Sequence, residues 1–451
     1  MGFVIIGAGP AGMQAATHAA RLGIDVVLIE AEVLGGAANL RDCIPSKTMI
    51  ATGGALSSVS RMGGMGLSGA RAEVDLAALA ERVRDIEARL EAANTELLTR
   101  QGVELVHGYG RLAGPHEVVA DTLEGERVFE ADAVLVGTGS RPRVPAWAEP
   151  DGDRVLTTRD AYPPKALPEH LVVVGSGVTG VEFVHMFRSL GSEVTLVVSR
   201  QHVLPTKDAE VAAALEETFA QRGVHLLKGA RAEAVVRTDD KVHVSCNDGR
   251  LVEASHALLA VGAVPNTAQL GLEQAGVVVD AGGTIPINQH CQTNVPHIYA
   301  AGDVSGKLPL ASVASMQGRK VAEHIAFGHT VAHRHLTYDR APSAIFTEPE
   351  IADVGLAEVE AFAEGRKIRV TKVPFASTAK ALIENDPRGF VKIISDPATG
   401  VVLGGSIVGE SAAELISVVA LAVTAELRVA DIAESMFVHP TLAEALAEAA
   451  E

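Results

Sequence analysis

Val4-Ile5-Ile6-Gly7-Ala8-Gly9-Pro10-Ala11-Gly12 runs a β-branched stretch into a glycine loop; an Ala-rich stretch to Leu22 follows, then a second apolar run, Val26-Val27-Leu28-Ile29, that ends in Glu30. Strand, helix and strand in that order make a βαβ unit, and the glycines have the spacing of a dinucleotide fingerprint. They permit a tight turn and let a pyrophosphate approach backbone N–H groups at a helix N-terminus, where the dipole favours an anion. Glu30 lies 18 residues beyond Gly12, placed to accept the hydroxyls of an adenosine ribose.

The unit recurs: Leu171-Val172-Val173-Val174, then Gly175-Ser176-Gly177-Val178-Thr179-Gly180, a helix to Leu190, and the strand Val194 to Val198. Two dinucleotides are therefore expected. The copies differ where Glu30 has its counterpart, since Val198 stands 18 residues after Gly180 and is followed by Ser199 and Arg200. An acid there repels a 2′-phosphate, whereas a hydroxyl and a guanidinium can hold one, so NADP(H) is accommodated. Gly180 as third glycine leans towards NAD(H), and Arg200 also reads as a solvated surface charge.

Further strand-and-turn segments, Ala133 to Gly139 and Ala257 to Asn266, read as chain crossings between domains. A third, His297-Ile298-Tyr299-Ala300-Ala301-Gly302-Asp303, puts an acid after a buried strand, where it can meet a ribityl hydroxyl or a water near a pyrophosphate. Arg71 to Gln101 reads as one long helix opening at Asp75, and Leu308-Pro309-Leu310-Ala311 opens another that runs to about Phe327. The last ~110 residues change texture: strands Phe390 to Ile394 and Val401 to Val408 precede helices Ala412 to Glu426, Val429 to Glu434 and Leu442 to Ala450, as in an α+β domain.

Composition limits the partners. With 38 Lys+Arg against 56 Asp+Glu the net charge is −18, so a basic footprint for nucleic acid or an anionic membrane is missing. The longest apolar stretch, roughly Leu415 to Val423, is interrupted by Ser417 and falls far short of the ~20 residues that cross a bilayer. No targeting segment precedes the first strand, which makes the cytoplasm the expected location. Three cysteines, Cys43, Cys246 and Cys291, spread over 451 residues, exclude a disulfide scaffold and a Cys-rich metal site, and no metal is expected.

Taken together, the chain resembles the pyridine nucleotide-disulfide oxidoreductase family of dihydrolipoamide dehydrogenase and glutathione reductase. The resemblance rests on the two fingerprints with Glu30 and Glu182, on Cys43-Ile44-Pro45-Ser46-Lys47, Gly137-Thr138-Gly139 and Ala301-Gly302-Asp303, and on Phe346-Thr347-Glu348-Pro349-Glu350 and His439-Pro440-Thr441-Leu442-Ala443-Glu444. It implies an α/β fold with two Rossmann-like domains, FAD-binding over 1–148 and 268–338 and NAD(P)H-binding over 149–267, plus an α+β dimerisation domain over 339–451 that builds a homodimer. FAD is implied on Gly7, Gly9, Ala11 and Gly12, with Glu30, Gly36, Lys47, Thr138, Gly139 and Asp303 around it and Leu310 and Ala311 at the helix N-terminus facing the flavin. The nicotinamide nucleotide is implied on Gly175, Gly177, Val178 and Gly180, with Glu182, Val198, Ser199, Arg200 and Gly262.

Disulfide-reducing members carry C-x-x-x-x-C in the segment that here reads Gly35-Gly36-Ala37-Ala38-Asn39-Leu40-Arg41-Asp42-Cys43. The attacking cysteine is replaced by Ala38. That gap, with Gly-Ala-x-Pro-Asn at Gly262 to Asn266, looks like the lipoamide-dehydrogenase-like NAD(P)H quinone reductases. The resemblance implies hydride transfer to flavin beside a Lys47–Glu182 ion pair, then delivery to a quinone or similar small acceptor, with His439 and Glu444 available as a proton-transferring pair. Three alternatives stay open: a disulfide reductase using a non-standard cysteine, a lone-cysteine oxidase or peroxidase centred on Cys43, and a non-catalytic flavin-binding dimer. Cys43, ahead of a helix with Pro45 near its start, reads as a thiolate favoured by the helix dipole, as a small buried hydrophobe, or as a sulfenic-acid centre. His439 and Glu444 also read as a helix N-terminal turn, with Thr441 as cap.

Overall fold

The computed structural model describes residues 2–69, 71–328 and 335–451. The chain divides into two compact units: Met1–Pro45, Ala80–Arg143 and Gly262–Tyr338 form the first; Ser46–Leu79, Val144–Val261 and Asp339–Glu451 form the second.

A five-stranded sheet centres the first unit, in the order Ile298–Ala300, Ala133–Val136, Gly2–Ile6, Asp25–Glu30, Glu104–His107, every neighbouring pair parallel. The run Phe3 to Ile6 is apolar throughout because both faces are covered, as parallel sheets require. Phe3 and Ile5 pack on one side with Ala11, Ala15 and Val321, while Val4 and Ile6 pack on the other with Leu112, Val118 and Ile285. Helices Pro10–Arg21 and Ala311–Phe327 approach so closely that a Cβ on Gly318 would lie 2.0 Å from the Ala11 carbonyl oxygen. Small residues on the first helix are thus a packing requirement. A three-stranded antiparallel sheet, Tyr109–Gly114, Glu117–Thr122 and Gly125–Glu130, and an antiparallel pair, Ser140–Pro142 with Ala263–Pro265, also belong to the unit.

The second unit repeats the parallel sheet, in the order His225–Lys228, Glu193–Val198, His170–Val174, His256–Leu259, Val155–Thr157. In both sheets the strand that feeds the glycine loop is central, so each loop opens at the carboxyl end of the sheet, where α/β ligands bind. Helices Val178–Leu190 and Ala209–Gln221 belong to this part. The C-terminal residues form an antiparallel sheet ordered Ser343–Ile345, Glu350–Gly355, Val402–Gly409, Phe390–Ser395, Arg369–Pro374, packed on helix Ala412–Ala425.

By compactness, 149–261 of the expected 149–267 domain and the whole of the expected 339–451 domain fall in one unit, 46–79 joins them, and 262–267 falls in the first unit. The reason is a shared core in which Met49 and Leu79 pack with Phe183 and Phe187 and with Ile351, Phe390 and Val408. The long helix is Leu76–Arg100, with Asp75 capping it by accepting the Ala77 and Ala78 N–H groups at 3.0 Å. None of the helices among the described residues is long and apolar enough to cross a membrane.

Candidate active site

The first glycine loop is built so that little but backbone lines it. Gly7 has φ +100°, and a Cβ there would sit 2.6 Å from the Gly137 carbonyl oxygen; one on Gly12 would sit 1.9 Å from the Gly7 oxygen. Those two glycines serve the protein's own packing. Gly9 differs, since its nearest neighbour to an added Cβ lies at 3.9 Å, while Gly36, with φ +83°, would press its Cβ against the Gly9 Cα at 2.5 Å. The floor over Gly9 is therefore kept bare by its own chain, and helix Pro10–Arg21 starts with no side-chain cap on its first N–H groups. That is a cradle for a pyrophosphate. On the adjacent strand end, Glu30 accepts Ala8 N–H at 2.6 Å and Glu32 N–H at 2.7 Å, which fixes its carboxylate beside the loop.

Other expected FAD residues lie in the same unit and are cross-braced. Thr138 donates its hydroxyl to the Asn266 carbonyl at 2.7 Å, and Asn266 Nδ2 returns a bond to the Thr138 carbonyl at 3.0 Å. Gly139 takes φ +66° with open space around a would-be Cβ. Asp303 Oδ2 accepts the Ser140 hydroxyl at 2.6 Å, and Gly302 N–H is held by buried Gln317 Oε1 at 2.7 Å. Leu310 is the N-cap of helix Ala311–Phe327, also without a side-chain cap. Residues of these types in these places fit FAD: a bare loop for phosphates, an acid for ribose, and an uncapped helix end for an anionic ring edge.

The second loop repeats the design. A Cβ on Gly175 would meet the Ala260 carbonyl oxygen at 2.3 Å and one on Gly180 the Gly175 oxygen at 1.8 Å, whereas nothing lies within 4 Å of one on Gly177. The Gly177 site is open for a ligand. Val178 begins an uncapped helix, and Val198 ends its strand with Ser199 and Arg200 exposed beyond it. Gly262, expected with this group, belongs by compactness to the first unit and accepts Arg143 N–H at 2.9 Å.

Lys47 and Glu182, 135 positions apart, meet as an ion pair, Nζ to Oε2 at 2.7 Å. The second Glu182 oxygen accepts Phe346 N–H at 2.9 Å, and the Lys47 ammonium lies 4.8 Å from the centre of the Phe346 ring. Glu182 is nearly buried, its side chain 10% exposed, so pairing is what makes its charge tolerable. Phe346 thus supports both members of the pair, one through its backbone and one through its ring. Sequence reasoning quoted the segment Phe346 to Glu350 but gave it no role.

Cys43 directly precedes helix Ile44–Arg61, with Pro45 near its start, as the sequence reads, but it also ends a π-helical run, Ala38–Cys43, that continues into that helix, so it does not sit at a free helix N-terminus. Gly35 and Gly36, at φ +120° and +83°, turn the chain early, so helical backbone begins well before Pro45. Pro45 then lies inside the helical stretch, where its missing N–H and its ring are accommodated by the wider π turn before it. The helix N-terminus expected at Cys43 lies near Ala37. Among the cysteines no disulfide forms. Both others are buried: burial raises the Cys246 thiol, and pushes that of Cys291 up to about 12, so neither is poised as a thiolate.

His439 Nδ1 lies 2.7 Å from Glu444 Oε1, and Glu444 Oε2 accepts Thr441 N–H at 2.9 Å. The backbone bond and then the histidine hold the Glu444 carboxyl below its ordinary range. The capping reading is half met. Thr441 donates its hydroxyl back to the Val438 carbonyl at 2.7 Å instead of capping, and the helix begins only at Glu444, not Leu442. His439 is largely exposed beside the fully exposed Met436. Among the described residues no group of His, Cys, Asp and Glu is arranged to hold a metal ion.

Comparison with known proteins agrees with this geometry. A family model described as pyridine nucleotide-disulphide oxidoreductase matches residues 1–318, and its dimerisation-domain counterpart matches 341–450. A Mycobacterium tuberculosis protein named NAD(P)H dehydrogenase (quinone) is 42% identical over 99% of this chain and 92% of its own length. A dihydrolipoyl dehydrogenase of Zymomonas mobilis is 34% identical over 99% and 96%. The crystal structure of LpdA from Mycobacterium tuberculosis superposes with a TM-score of 0.95 at 42% identity, covering 100% of this chain and 99% of that one.

Proposed function

The chain belongs to the pyridine nucleotide-disulphide oxidoreductase family, whose members use FAD and NAD(P)H, and we propose that it oxidises NAD(P)H and reduces a quinone or similar small planar acceptor with no redox-active disulfide in the path. The observation that carries the proposal is Ala38, a methyl group where disulfide-reducing relatives have the attacking sulfur, on a scaffold that keeps the Lys47–Glu182 pair.

FAD, when bound, would supply the redox chemistry, taking up hydride equivalents from the nicotinamide nucleotide and making them available to the acceptor. The protein orients and excludes. Gly9 and the uncapped helix at Pro10 would hold pyrophosphate, Glu30 would hold the adenosine ribose, and Asp303, fixed by Ser140, would meet a ribityl hydroxyl or a water near the pyrophosphate. Glu182, tied to Phe346 N–H, holds Lys47 in one geometry, and positioning of that kind contributes most of what a protein adds to hydride transfer. Reduction of a quinone by an electron pair also consumes two protons. His439, with Nδ1 bound to Glu444, can carry one at Nε2. The dimerisation-domain match supports a homodimer, in which His439 and Glu444 serve the acceptor site of the opposite subunit. Retention of that pair also favours a second reading, a disulfide reductase. The thiols of Cys246 and Cys291 weigh against it, since both are buried and raised by that burial, so neither is poised as a thiolate for exchange.

Anaerobic titration with NADPH tests the choice: bleaching complete at one hydride equivalent per FAD is expected, and a stable intermediate needing two would overturn the proposal. Cys43→Ser should keep quinone turnover within about threefold of the parent, a change too small to reflect a lost chemical step. Complete loss would point to thiol chemistry. At the nucleotide end, Arg200→Glu should raise KM for NADPH about tenfold or more, as losing one charged hydrogen bond to a phosphate does, and leave NADH nearly unchanged. Equal effects on both nucleotides would refute the 2′-phosphate role.

A further inference from the structure

We infer that Glu216, which lies outside every motif discussed above, is the positioning residue that sets the adenosine-end loop and so governs the choice between phosphorylated and unphosphorylated nucleotide. The inference rests on the reading of Gly175–Gly180 and Ser199–Arg200 as the nicotinamide nucleotide's cradle. After strand Glu193–Val198 the chain makes a short loop, Ser199-Arg200-Gln201-His202-Val203-Leu204, held at several points. The Val198 and Arg200 carbonyls accept Ala230 and Gly229 N–H groups at 3.1 and 3.0 Å. Val203 N–H donates to Glu216 Oε1 at 2.9 Å. Leu204 N–H donates to the Ser176 carbonyl, inside the glycine loop, at 2.9 Å.

Two features show that the loop is held rather than merely resting. Val203 and Leu204 are buried, and Leu204 takes φ +49°. A branched side chain in the left-handed region is disfavoured and persists only where the surroundings fix it. Glu216 supplies much of that fixing. It projects from helix Ala209–Gln221 with its side chain 11% exposed, and its second oxygen takes Lys228 Nζ at 2.6 Å, with His202 Nδ1 at 3.5 Å. Burial pushes this carboxyl up, but Lys228 and the Val203 N–H bring it below its ordinary value, so it stays anionic. Lys228 ends the neighbouring strand directly opposite Val198.

One carboxylate therefore joins a helix, the edge strand and the loop, and Leu204 joins that loop to the phosphate-binding turn. Any displacement of the loop moves Ser199 and Arg200 relative to Gly175–Gly180, which is the spacing between a 2′-phosphate and a pyrophosphate. Lys228 also pairs with Glu216, so the carboxylate that holds the loop is charge-compensated rather than a free anion. Glu216 needs no contact with nucleotide to act in this way.

The test uses the FAD-loaded protein, with adenosine 2′,5′-bisphosphate and AMP as binding probes beside NADPH and NADH kinetics. Glu216→Ala should weaken the bisphosphate and raise KM for NADPH about tenfold, with kcat within about twofold and AMP and NADH changed by less than about threefold. Glu216→Gln keeps an acceptor for Val203 N–H and should restore most of the affinity. Lys228→Met frees the carboxylate's charge without removing that acceptor, and should hurt the bisphosphate but not AMP; it remains informative if the alanine variant fails to fold. Equal weakening of both probes, or no weakening of either, overturns the inference. Failure of the underlying reading is seen separately, in a parent protein that binds neither probe and takes no hydride from either nucleotide.

Discussion

Replacing Lys47 with methionine should slow reduction of the bound flavin by NAD(P)H about 100-fold, equivalent to about 3 kcal/mol of barrier. The size follows from what the substitution leaves behind. Glu182 is nearly buried, and of its two oxygens one is held by Phe346 N–H while the other is held by the Lys47 ammonium. Without the cation a carboxylate is stranded in poor solvent, so it either takes up a proton or drags the local structure towards water. Either outcome ruins the arrangement the pair maintains. Glu182→Gln should be milder, about tenfold, because the amide still accepts from Phe346 and offers its oxygen or nitrogen to the same neighbourhood. Anaerobic stopped-flow absorbance at the flavin band checks both, with flavin content measured alongside because Lys47 is also expected to touch FAD. A methionine variant that keeps its flavin and reduces it within about threefold of the parent rate would remove Lys47 from the reaction.

What the sequence revealed, and what it hid, divides along locality. Each glycine loop was legible because strand, turn, helix and second strand lie within about 30 residues and each part carries its own signature. The Ala-rich face of helix Pro10–Arg21 followed from the same pattern, although its reason, the approach of Gly318, comes from more than 300 positions away. The π-helical run at Ala38–Cys43 left no sign in the sequence: Pro45 marks the start of helix Ile44–Arg61, while the earlier onset of helical backbone follows the turn at Gly35 and Gly36. Phe346 was missed for a different reason. Its contribution to the Lys47–Glu182 pair is half backbone, and a backbone N–H leaves no trace in residue identity. Glu216 is hidden likewise: an acid on an exposed-looking helix turn reads as surface charge until Val203 and Lys228 are seen to converge on it.

The second large effect concerns stability in acid. Glu348, from the same segment as Phe346, lies largely buried among Ser57, Arg61 and Arg388: its Oε1 accepts the Ser57 hydroxyl and Arg388 at 2.8 Å each, and pairs with Arg61. Burial alone pushes its carboxyl up, but the Ser57 bond and the two guanidiniums prevail and hold it at about 2, against an ordinary 4.5. Close by, His185 is buried and accepts from Arg222 at 2.9 Å; burial, then Arg222, holds it at about 3 against an ordinary 6.5. Both groups bind protons less readily folded than unfolded, so the unfolded chain takes up protons first and stability must fall as pH falls. The His185 contribution is lost from pH 6.5 down to about 3, and that of Glu348 from pH 4.5 down to about 2. For Glu348 the loss amounts to about 3 kcal/mol when complete. Denaturant midpoints of the FAD-loaded protein should therefore decline steadily from pH 7 to 4, first through His185. Glu348→Gln should cost about 3 kcal/mol at pH 7, because Arg61 and Arg388 lose a buried counter-charge, yet lose less than the parent on further acidification below pH 4.5. A parent protein as stable at pH 4 as at pH 7, or a glutamine variant with an unchanged acid slope below pH 4.5, would show that this buried cluster does not carry the acid sensitivity.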